Sequence, residues 1–227
     1  MFVIAARPMP DFITSATRLA IFTVPLLLGV VLHELAHGYA AWLYGDPTAK
    51  NAGRLTLNPI KHLDKTGTLV FVLTAFFSSF VIGWAKPVPI NPRYFRNPRQ
   101  GIMVVSLAGP LANFALVVLF YIGFSLLLMV PAEGEGRLQS FFLEPLLHIF
   151  AAGVIVNAVL GVFNLLPIPP LDGSKILAGL LPRSLLMPYL RLEKYGFFIL
   201  LLLLMTGALR HVFEPIFYVL GPLLHLN

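Results

Sequence analysis

One segment, HELAH at residues 33–37, places three ionisable side chains inside a run of chain that otherwise carries no charge. Residues 21–32 before it and residues 38–44 after it contain no charged side chain. Ionisable groups are costly to bury in such an apolar helix, so their presence there indicates a functional site. A fold for this chain therefore has to accommodate the HELAH segment inside an apolar bundle.

The spacing of the two histidines predicts a metal site. On an α-helix His33 and His37 lie on one face, close enough to bind one ion, while Glu34 projects beside them. That combination suits hydrolysis by a metal-activated water, with Glu34 handling the proton. The bare motif also occurs in soluble helices, where its histidines are only surface or core residues. The apolar setting favours the metal, because unliganded polar groups would lack partners in lipid.

The composition indicates an integral membrane protein. Of 227 residues, 58% are hydrophobic and 11% are charged, and the mean hydropathy is +0.84; an ordinary soluble domain has about twice that share of charge. The chain has no cysteine, which excludes disulfides, thiolate metal ligands and cysteine nucleophiles. The formal net charge of +6 arises from short loops between apolar segments, which indicates orientation in the bilayer rather than nucleic-acid binding. No signal peptide is predicted, because the first apolar run continues into HELAH without a convincing cleavage site.

The apolar segments predict an all-α polytopic membrane protein with about four to six transmembrane helices and short re-entrant or β-hairpin-like segments lining the active site. These segments are residues 20–44 (extending back to about 12), 66–84, 102–130, 145–166, 195–209 and 212–224. The third and fourth exceed the ~20 residues that a helix needs to cross a bilayer, and the last two are borderline. We expect one domain over residues 1–227, with a core at about 12–180 and C-terminal helices at about 185–225.

The basic residues of the loops predict how the chain is oriented. Residues 45–65, 85–100 and 168–194 each carry four Lys or Arg, whereas residues 131–144 carry one arginine against three glutamates. The positive-inside rule places the first three loops on the cytoplasmic side and the fourth outside. Residues 66–84 then enter and leave by the same face as a re-entrant hairpin, and a full span is the alternative.

Prolines punctuate the sequences that flank residues 66–84. Residues 55–59 and 86–92 alternate like short edge strands, and their prolines exclude a helix interior or a central strand. Extended stretches of this kind can pair with an extended peptide by strand addition, which predicts a substrate-binding edge. On the alternative interpretation they are stiff surface loops.

A second informative stretch is NLLPIPPLDG at residues 164–173. Its prolines stop the preceding helix, and the chain must run extended before the acidic residue. A zinc hydrolase usually has three protein ligands and one open position, and Asp172 is the best candidate for the third ligand beside the two histidines. Glu214 is a weaker competitor, and Asp172 could instead be an ordinary turn or N-cap residue.

Three motifs together resemble the site-2 protease family of intramembrane zinc metalloproteases. They are HELAHG in the first long apolar segment, AGPLAN at residues 108–113 and FNLLPIPPLDG at residues 163–173. The stretches GDPTAKNAGRLTLNP, from residue 45, and GWAKPVPIN, from residue 83, are similar to compact bacterial members of that family. The resemblance covers about residues 25–180.

The resemblance implies that His33, His37 and Asp172 bind one Zn²⁺ ion and that Glu34 is the catalytic base. It also implies a role for Asn164, whose carboxamide could donate a hydrogen bond to the scissile carbonyl as that oxygen becomes an oxyanion. The alternative for Asn164 is a helix C-cap.

Other residues of the apolar segments are interpreted as packing groups. Asn113 and Asn157 are expected to form hydrogen bonds between helices. Gly109 and Pro110 are expected to let helices approach closely.

The sequence thus predicts a zinc metalloprotease that hydrolyses peptide bonds within or near transmembrane segments of membrane proteins. Its expected partners are a transmembrane protein or peptide substrate and the lipid bilayer, without nucleic acid. Its expected location is the bacterial plasma membrane, with the active site toward the cytoplasmic side. One alternative is a membrane metal-ion transporter, which gives Glu34 no task, and another is a non-catalytic protein that binds transmembrane helices. The sequence gives no indication of the oligomeric state.

Overall fold

The structure is a computed structural model that describes residues 12–77, 83–130 and 142–225. The α-helices of these ranges are α1 (Phe12–Leu43), α2 (Thr48–Asn51), α3 (Lys65–Phe77), α4 (Pro98–Leu128), α5 (Glu144–Leu165), α6 (Asp172–Leu180), α7 (Arg183–Leu190), α8 (Gly196–Met205) and α9 (Ala208–Leu223). Short 3-10 helices lie at Pro59–Lys61, Pro92–Tyr94 and Arg191–Tyr195. The predicted all-α architecture is confirmed.

Three helices of the described ranges are long and apolar enough to cross a membrane. They are α4, α5 and the Leu19–Leu43 part of α1. A fourth span arises if Arg183–Met205 and Ala208–Leu223, which are bent by 67° relative to each other, are counted as one. The count is lower than the six apolar segments because the last two segments share this bent pair and α3 has only 13 residues. Most of the acidic loop at residues 131–144 lies outside the described residues.

The core of the bundle is formed where α1, α4 and α5 pack together. Phe120 of α4 lies against Gly153 of α5, where an added Cβ would come within 2.4 Å of the ring. Phe150 of α5 lies against Gly123 of α4 in the same way, at 2.0 Å from the added Cβ. A glycine on each helix thus lets an aromatic ring of the other helix reach its backbone. Close packing of this kind drives helix association in membranes.

The chain folds back on itself between its first two basic loops. Leu63 and Ala85 form an antiparallel bridge, and the Lys86 N–H donates to the His62 carbonyl oxygen at 2.8 Å. The two ends of the segment therefore meet on one side of the fold, as a re-entrant hairpin requires. Residues 78–82 lie outside the described residues. The side of the membrane on which the ends meet stays a prediction.

The turn after α5 fixes the start of α6 at Asp172. Gly173 passes so close to the end of α5 that an added Cβ would lie 2.1 Å from the Leu165 carbonyl oxygen. Arg99, in the first turn of α4, donates from Nε to the Gly179 carbonyl oxygen at 2.9 Å, near the other end of α6. α6 is thus held against both α5 and α4, and its first residue, Asp172, lies next to α1.

Candidate metal centre

Three buried side chains meet between α1 and α6. His33 Nε2 lies 3.1 Å from Asp172 Oδ2, His37 Nε2 lies 3.0 Å from the same oxygen, and the two Nε2 atoms are 3.0 Å apart. The helical repeat stacks the two imidazoles on one face of α1, and the first residue of α6 brings the carboxylate to them. None of the three residues is more than 8% exposed. Two histidines and a carboxylate are a ligand set that zinc takes in hydrolases.

Hydrogen bonds fix which nitrogen of each imidazole carries the proton. His37 Nδ1 lies 2.7 Å from the Val105 carbonyl oxygen, which can only accept, so Nδ1 is the donor. His33 Nδ1 lies 2.7 Å from Asn113 Oδ1 and donates to it. In the neutral imidazoles both Nε2 atoms therefore carry lone pairs that face Asp172.

A chain of two buried amides, Asn113 and Asn157, holds His33 in this orientation; we call this pair the amide relay. Asn113 Nδ2 donates to the Gly29 carbonyl oxygen at 3.2 Å and to Asn157 Oδ1 at 3.0 Å, which leaves Asn113 Oδ1 for His33. Asn157 Nδ2 donates to the Gly153 carbonyl oxygen at 2.9 Å. Because the two carbonyl oxygens only accept, the direction of both amides is fixed. The amide relay thus links α1, α4 and α5, as expected for interhelical partners.

The three facing atoms fit a cation. Two lone pairs and a carboxylate oxygen repel one another at 3.0–3.1 Å unless a proton or a metal ion lies between them. If protons on the histidine Nε2 atoms fill this space, two effects act on the pKa of Asp172. Burial alone would raise that pKa, but the hydrogen bonds from His33 and His37 hold it below its ordinary value. Zinc binds imidazole nitrogen and carboxylate oxygen at ~2.0–2.2 Å, so one ion can contact all three atoms. The residues therefore fit zinc.

Two further charged side chains border the three candidate ligands. Glu34 Oε2 accepts a hydrogen bond from the Val88 N–H at 2.8 Å, so this carboxylate lies between α1 and the segment that follows the hairpin. Lys175, in the first turn of α6, donates from Nζ to Asp172 Oδ1 at 3.1 Å. Only Oδ2 of Asp172 is then left to face the histidines. The structure thus brings the predicted base together with the predicted ligands.

All of these groups line one cavity of about 990 Å³. Its wall mixes polar groups from α5, α6, α7 and the 3-10 helix after α7 with apolar side chains of residues 84–90, α4 and α7. The polar members include Asn164, Lys175, Tyr189 and Glu193, and the apolar members include Trp84, Val88, Ile90, Ile102 and Leu186. A cavity of this size and lining can hold several residues of an extended peptide.

Asn164 lines this cavity near the end of α5. Its Nδ2 donates to the Leu160 carbonyl oxygen at 3.0 Å, so one amide hydrogen is used within the helix. Glu214, the competing ligand, lies elsewhere, on the exposed side of α9. Its carboxylate lies 3.3 Å from Arg210 and 3.7 Å from His211, and it does not join the metal centre.

Gly109 makes room for the metal centre, which is more than the helix packing expected from the sequence. An added Cβ would lie 2.5 Å from His37 Cε1 and Nε2 and 2.7 Å from His33 Cε1. One turn later on the same face, Asn113 contacts His33. α4 thus presents bare backbone to both rings and one amide to His33. The four-residue spacing of Gly109 and Asn113 is the sequence signal that could have predicted this face.

Comparisons with known proteins identify relatives of the chain. Peptidase family M50 matches residues 128–207. YwhC of Bacillus subtilis, which is named as a candidate zinc metalloprotease, is 42% identical over 192 residues that cover 85% of this chain and 83% of that protein. Rip2 of Mycolicibacterium smegmatis, named in the same way, is 32% identical over 197 residues that cover 85% and 69%. Zinc metalloprotease MJ0392 of Methanocaldococcus jannaschii is 26% identical over 165 residues that cover 73% and 35%. No solved structure matches the chain.

Proposed function

The chain belongs to peptidase family M50, the site-2 protease family, and from that premise we propose that it hydrolyses peptide bonds within or near transmembrane segments of membrane proteins. It is a multi-pass membrane protein and a zinc metalloprotease. One observation carries the finer proposal. His33, His37 and Asp172 converge, with Glu34 beside them, among helices that are long and apolar enough to cross a bilayer.

We assign His33 Nε2, His37 Nε2 and Asp172 Oδ2 as the zinc ligands. When bound, zinc supplies a Lewis acid that makes a water molecule acidic near neutral pH. Glu34 takes the proton of that water and later returns it to the leaving nitrogen. Lys175 binds the second oxygen of Asp172, Oδ1, and holds it away from the metal centre. The amide relay keeps the lone pair of His33 Nε2 directed toward the metal centre.

We propose that Asn164 stabilises the oxyanion that forms on the scissile carbonyl. Its carboxamide nitrogen carries two hydrogens, of which one is used by the Leu160 carbonyl oxygen. The other hydrogen is available to a substrate carbonyl in the cavity. A donor that meets the oxygen as negative charge develops lowers the barrier more than it strengthens substrate binding.

The segment at residues 86–91 limits where an unwound substrate could pair by strand addition. The carbonyls at 86 and 87 and the N–H at 88 already have partners within the protein. Ile90 lines the cavity, and its backbone makes no hydrogen bond within the part of the chain that the structure describes. We therefore assign strand addition to Ile90 rather than to the whole predicted edge.

We further propose a bacterial plasma membrane location, with the cavity open toward the cytoplasm. The first two basic loops, residues 45–65 and 85–100, carry four Lys or Arg each and are joined by the bridge between Leu63 and Ala85. Loops rich in Lys and Arg stay on the cytoplasmic side of a membrane. Water and an unwound substrate would then reach the centre from that side.

Co-expression with candidate single-pass membrane proteins tagged at both ends tests the proposed function. Wild type should give two tagged fragments, with the cut mapped by mass spectrometry to a site within or next to the transmembrane segment. Glu34→Gln, which keeps the shape of the side chain but not its basicity, should give none. Purified wild type should contain about one zinc per chain and His37→Ala far less. Cleavage by Glu34→Gln, or undiminished zinc in His37→Ala, would contradict the assignment.

A further inference from the structure

An extended segment, residues 84–91, lines the cavity beside α1. Its Val88 N–H donates to Glu34 Oε2 at 2.8 Å, the one hydrogen bond that the described residues give this carboxylate. Val88 is buried, and its Cγ1 would lie 3.1 Å from a Cβ added at Gly38. Gly38 follows Glu34 by about one helical turn, so Val88 contacts the face of α1 from which Glu34 projects.

In the local sequence KPVPIN, the Val88 N–H has no backbone N–H on either neighbouring residue. Pro87 and Pro89 have no N–H, so Val88 supplies the only backbone donor of residues 87–89. Each proline also fixes its own φ and keeps the residue before it extended, which stiffens the segment without a partner strand. The two prolines thus present one rigid donor toward α1.

Buried charged side chains hold the segment on both sides of Val88. Arg54, which is 5% exposed, donates to the carbonyl oxygens of Lys86 at 2.5 Å and Pro87 at 3.1 Å. Asp46, which is fully buried in the turn after α1, accepts from the Asn91 N–H at 2.6 Å. Neither anchor lines the cavity. The place of the Val88 N–H is therefore set by contacts outside the cavity.

We propose that the Val88 N–H is a positioning group for Glu34, a role that rests on the proposed function of Glu34 as the base. The amide holds Oε2 and leaves Oε1 as the oxygen that takes the proton. A glutamate side chain held in this way needs less reorganisation during the reaction than a mobile one. If the amide instead blocked the base, its removal would have the opposite effect on turnover.

Exchange of this amide for an ester tests the role with little other change. Val88→α-hydroxyvaline, introduced into the whole chain by nonsense suppression, replaces the N–H with an oxygen atom and keeps the side chain. The matched control is Gly67→glycolate, which removes the N–H that donates to Asp64 Oδ1 at 2.8 Å. That hydrogen bond is an equally short amide–carboxylate contact outside the cavity. Both variants are assayed for kcat, KM and bound zinc with one cleaved substrate.

The expected result is a fall in kcat of about 10-fold to 100-fold for Val88→α-hydroxyvaline, as for loss of a hydrogen bond to a charged group. KM and zinc content should stay at the wild-type values, and the Gly67 exchange should leave kcat unchanged. An unchanged or raised kcat at Val88, an equal fall in the control, or a parallel loss of zinc would overturn the proposal. Failure of the proposed function gives a different result. If Glu34 were not the base, Glu34→Gln would cleave the substrate at the wild-type rate, whatever the effect of the exchange at Val88.

Discussion

At the scale of a single residue, the metal centre depends on Gly109 having no side chain. Gly109→Ala would place a methyl group 2.5 Å from two ring atoms of His37, closer than non-bonded atoms approach, so the ring must move. We expect Gly109→Ala protein to bind less zinc than wild type and to cleave substrate poorly. Leu111→Ala, at an exposed position of the same helix, is the control and should keep its zinc. Equal zinc in Gly109→Ala and wild type would contradict this geometry.

Asn164→Ala separates a catalytic amide from a structural one. We expect it to retain zinc and to capture substrate, yet to lose about 10²-fold to 10³-fold in turnover, the usual effect of removing one oxyanion donor. Zinc analysis, cross-linking to substrate and cleavage rates measure the three properties. Near-normal cleavage would reduce Asn164 to a residue that satisfies the Leu160 carbonyl. Loss of zinc together with activity would make it a support of the metal site.

Residue type decided which parts of the site could be predicted from the sequence. His33, His37 and Asp172 could be chosen because an ionisable side chain among apolar residues is a signal by itself. Val88 could not, since its contribution is a backbone N–H, which every residue except proline carries. Gly109 was interpreted as a packing residue only: its spacing from Asn113 places both residues on one helix face, but the sequence does not tell which rings that face meets.

At the scale of elements, the amide relay couples three helices to His33, a proposed metal ligand. Asn113→Leu leaves His33 Nδ1, the Gly29 carbonyl and Asn157 Oδ1 without their partner. We expect it to weaken zinc binding about 10-fold to 100-fold, as is typical for the loss of an outer-shell partner. Asn157→Leu should have a smaller effect, because Asn113 keeps its bonds to Gly29 and His33. Chelator competition measures both affinities, and equal affinities for the two variants would argue against the relay.

Some structural elements could be predicted from the sequence and others could not. The hairpin around residues 66–84 was suggested by loop charge, because basic residues on both sides disfavour a full crossing. The bend between α8 and α9 was not predicted, since it depends on Gly207, whose φ of +71° interrupts the helix. Hydropathy measures how apolar a segment is and not the direction in which its axis runs. Two apolar segments of the sequence therefore became one bent pair.

At the scale of the whole molecule, the loops that orient the protein also border the cavity. Arg99, from the second basic loop, and Lys175, from the third, both line it. Arg54, from the first, is buried behind the cavity wall and holds the segment that carries Val88. Because the same loops are predicted to orient the chain in the bilayer and also border the cavity, we expect water to enter from the membrane side on which these loops lie.

Cysteine labelling tests this arrangement, and the chain suits it because it has no native cysteine. Lys61→Cys and Arg96→Cys change exposed positions of the first two basic loops, and Met129→Cys changes an exposed position at the far end of α4. In intact cells, a membrane-impermeant thiol reagent should label position 129 and spare positions 61 and 96, which should react only after lysis. The two loops should behave alike because they meet at the bridge between Leu63 and Ala85. They should be protected because loops rich in Lys and Arg stay on the cytoplasmic side. Labelling of position 61 or position 96 alone from outside would mean that residues 66–84 cross the membrane completely.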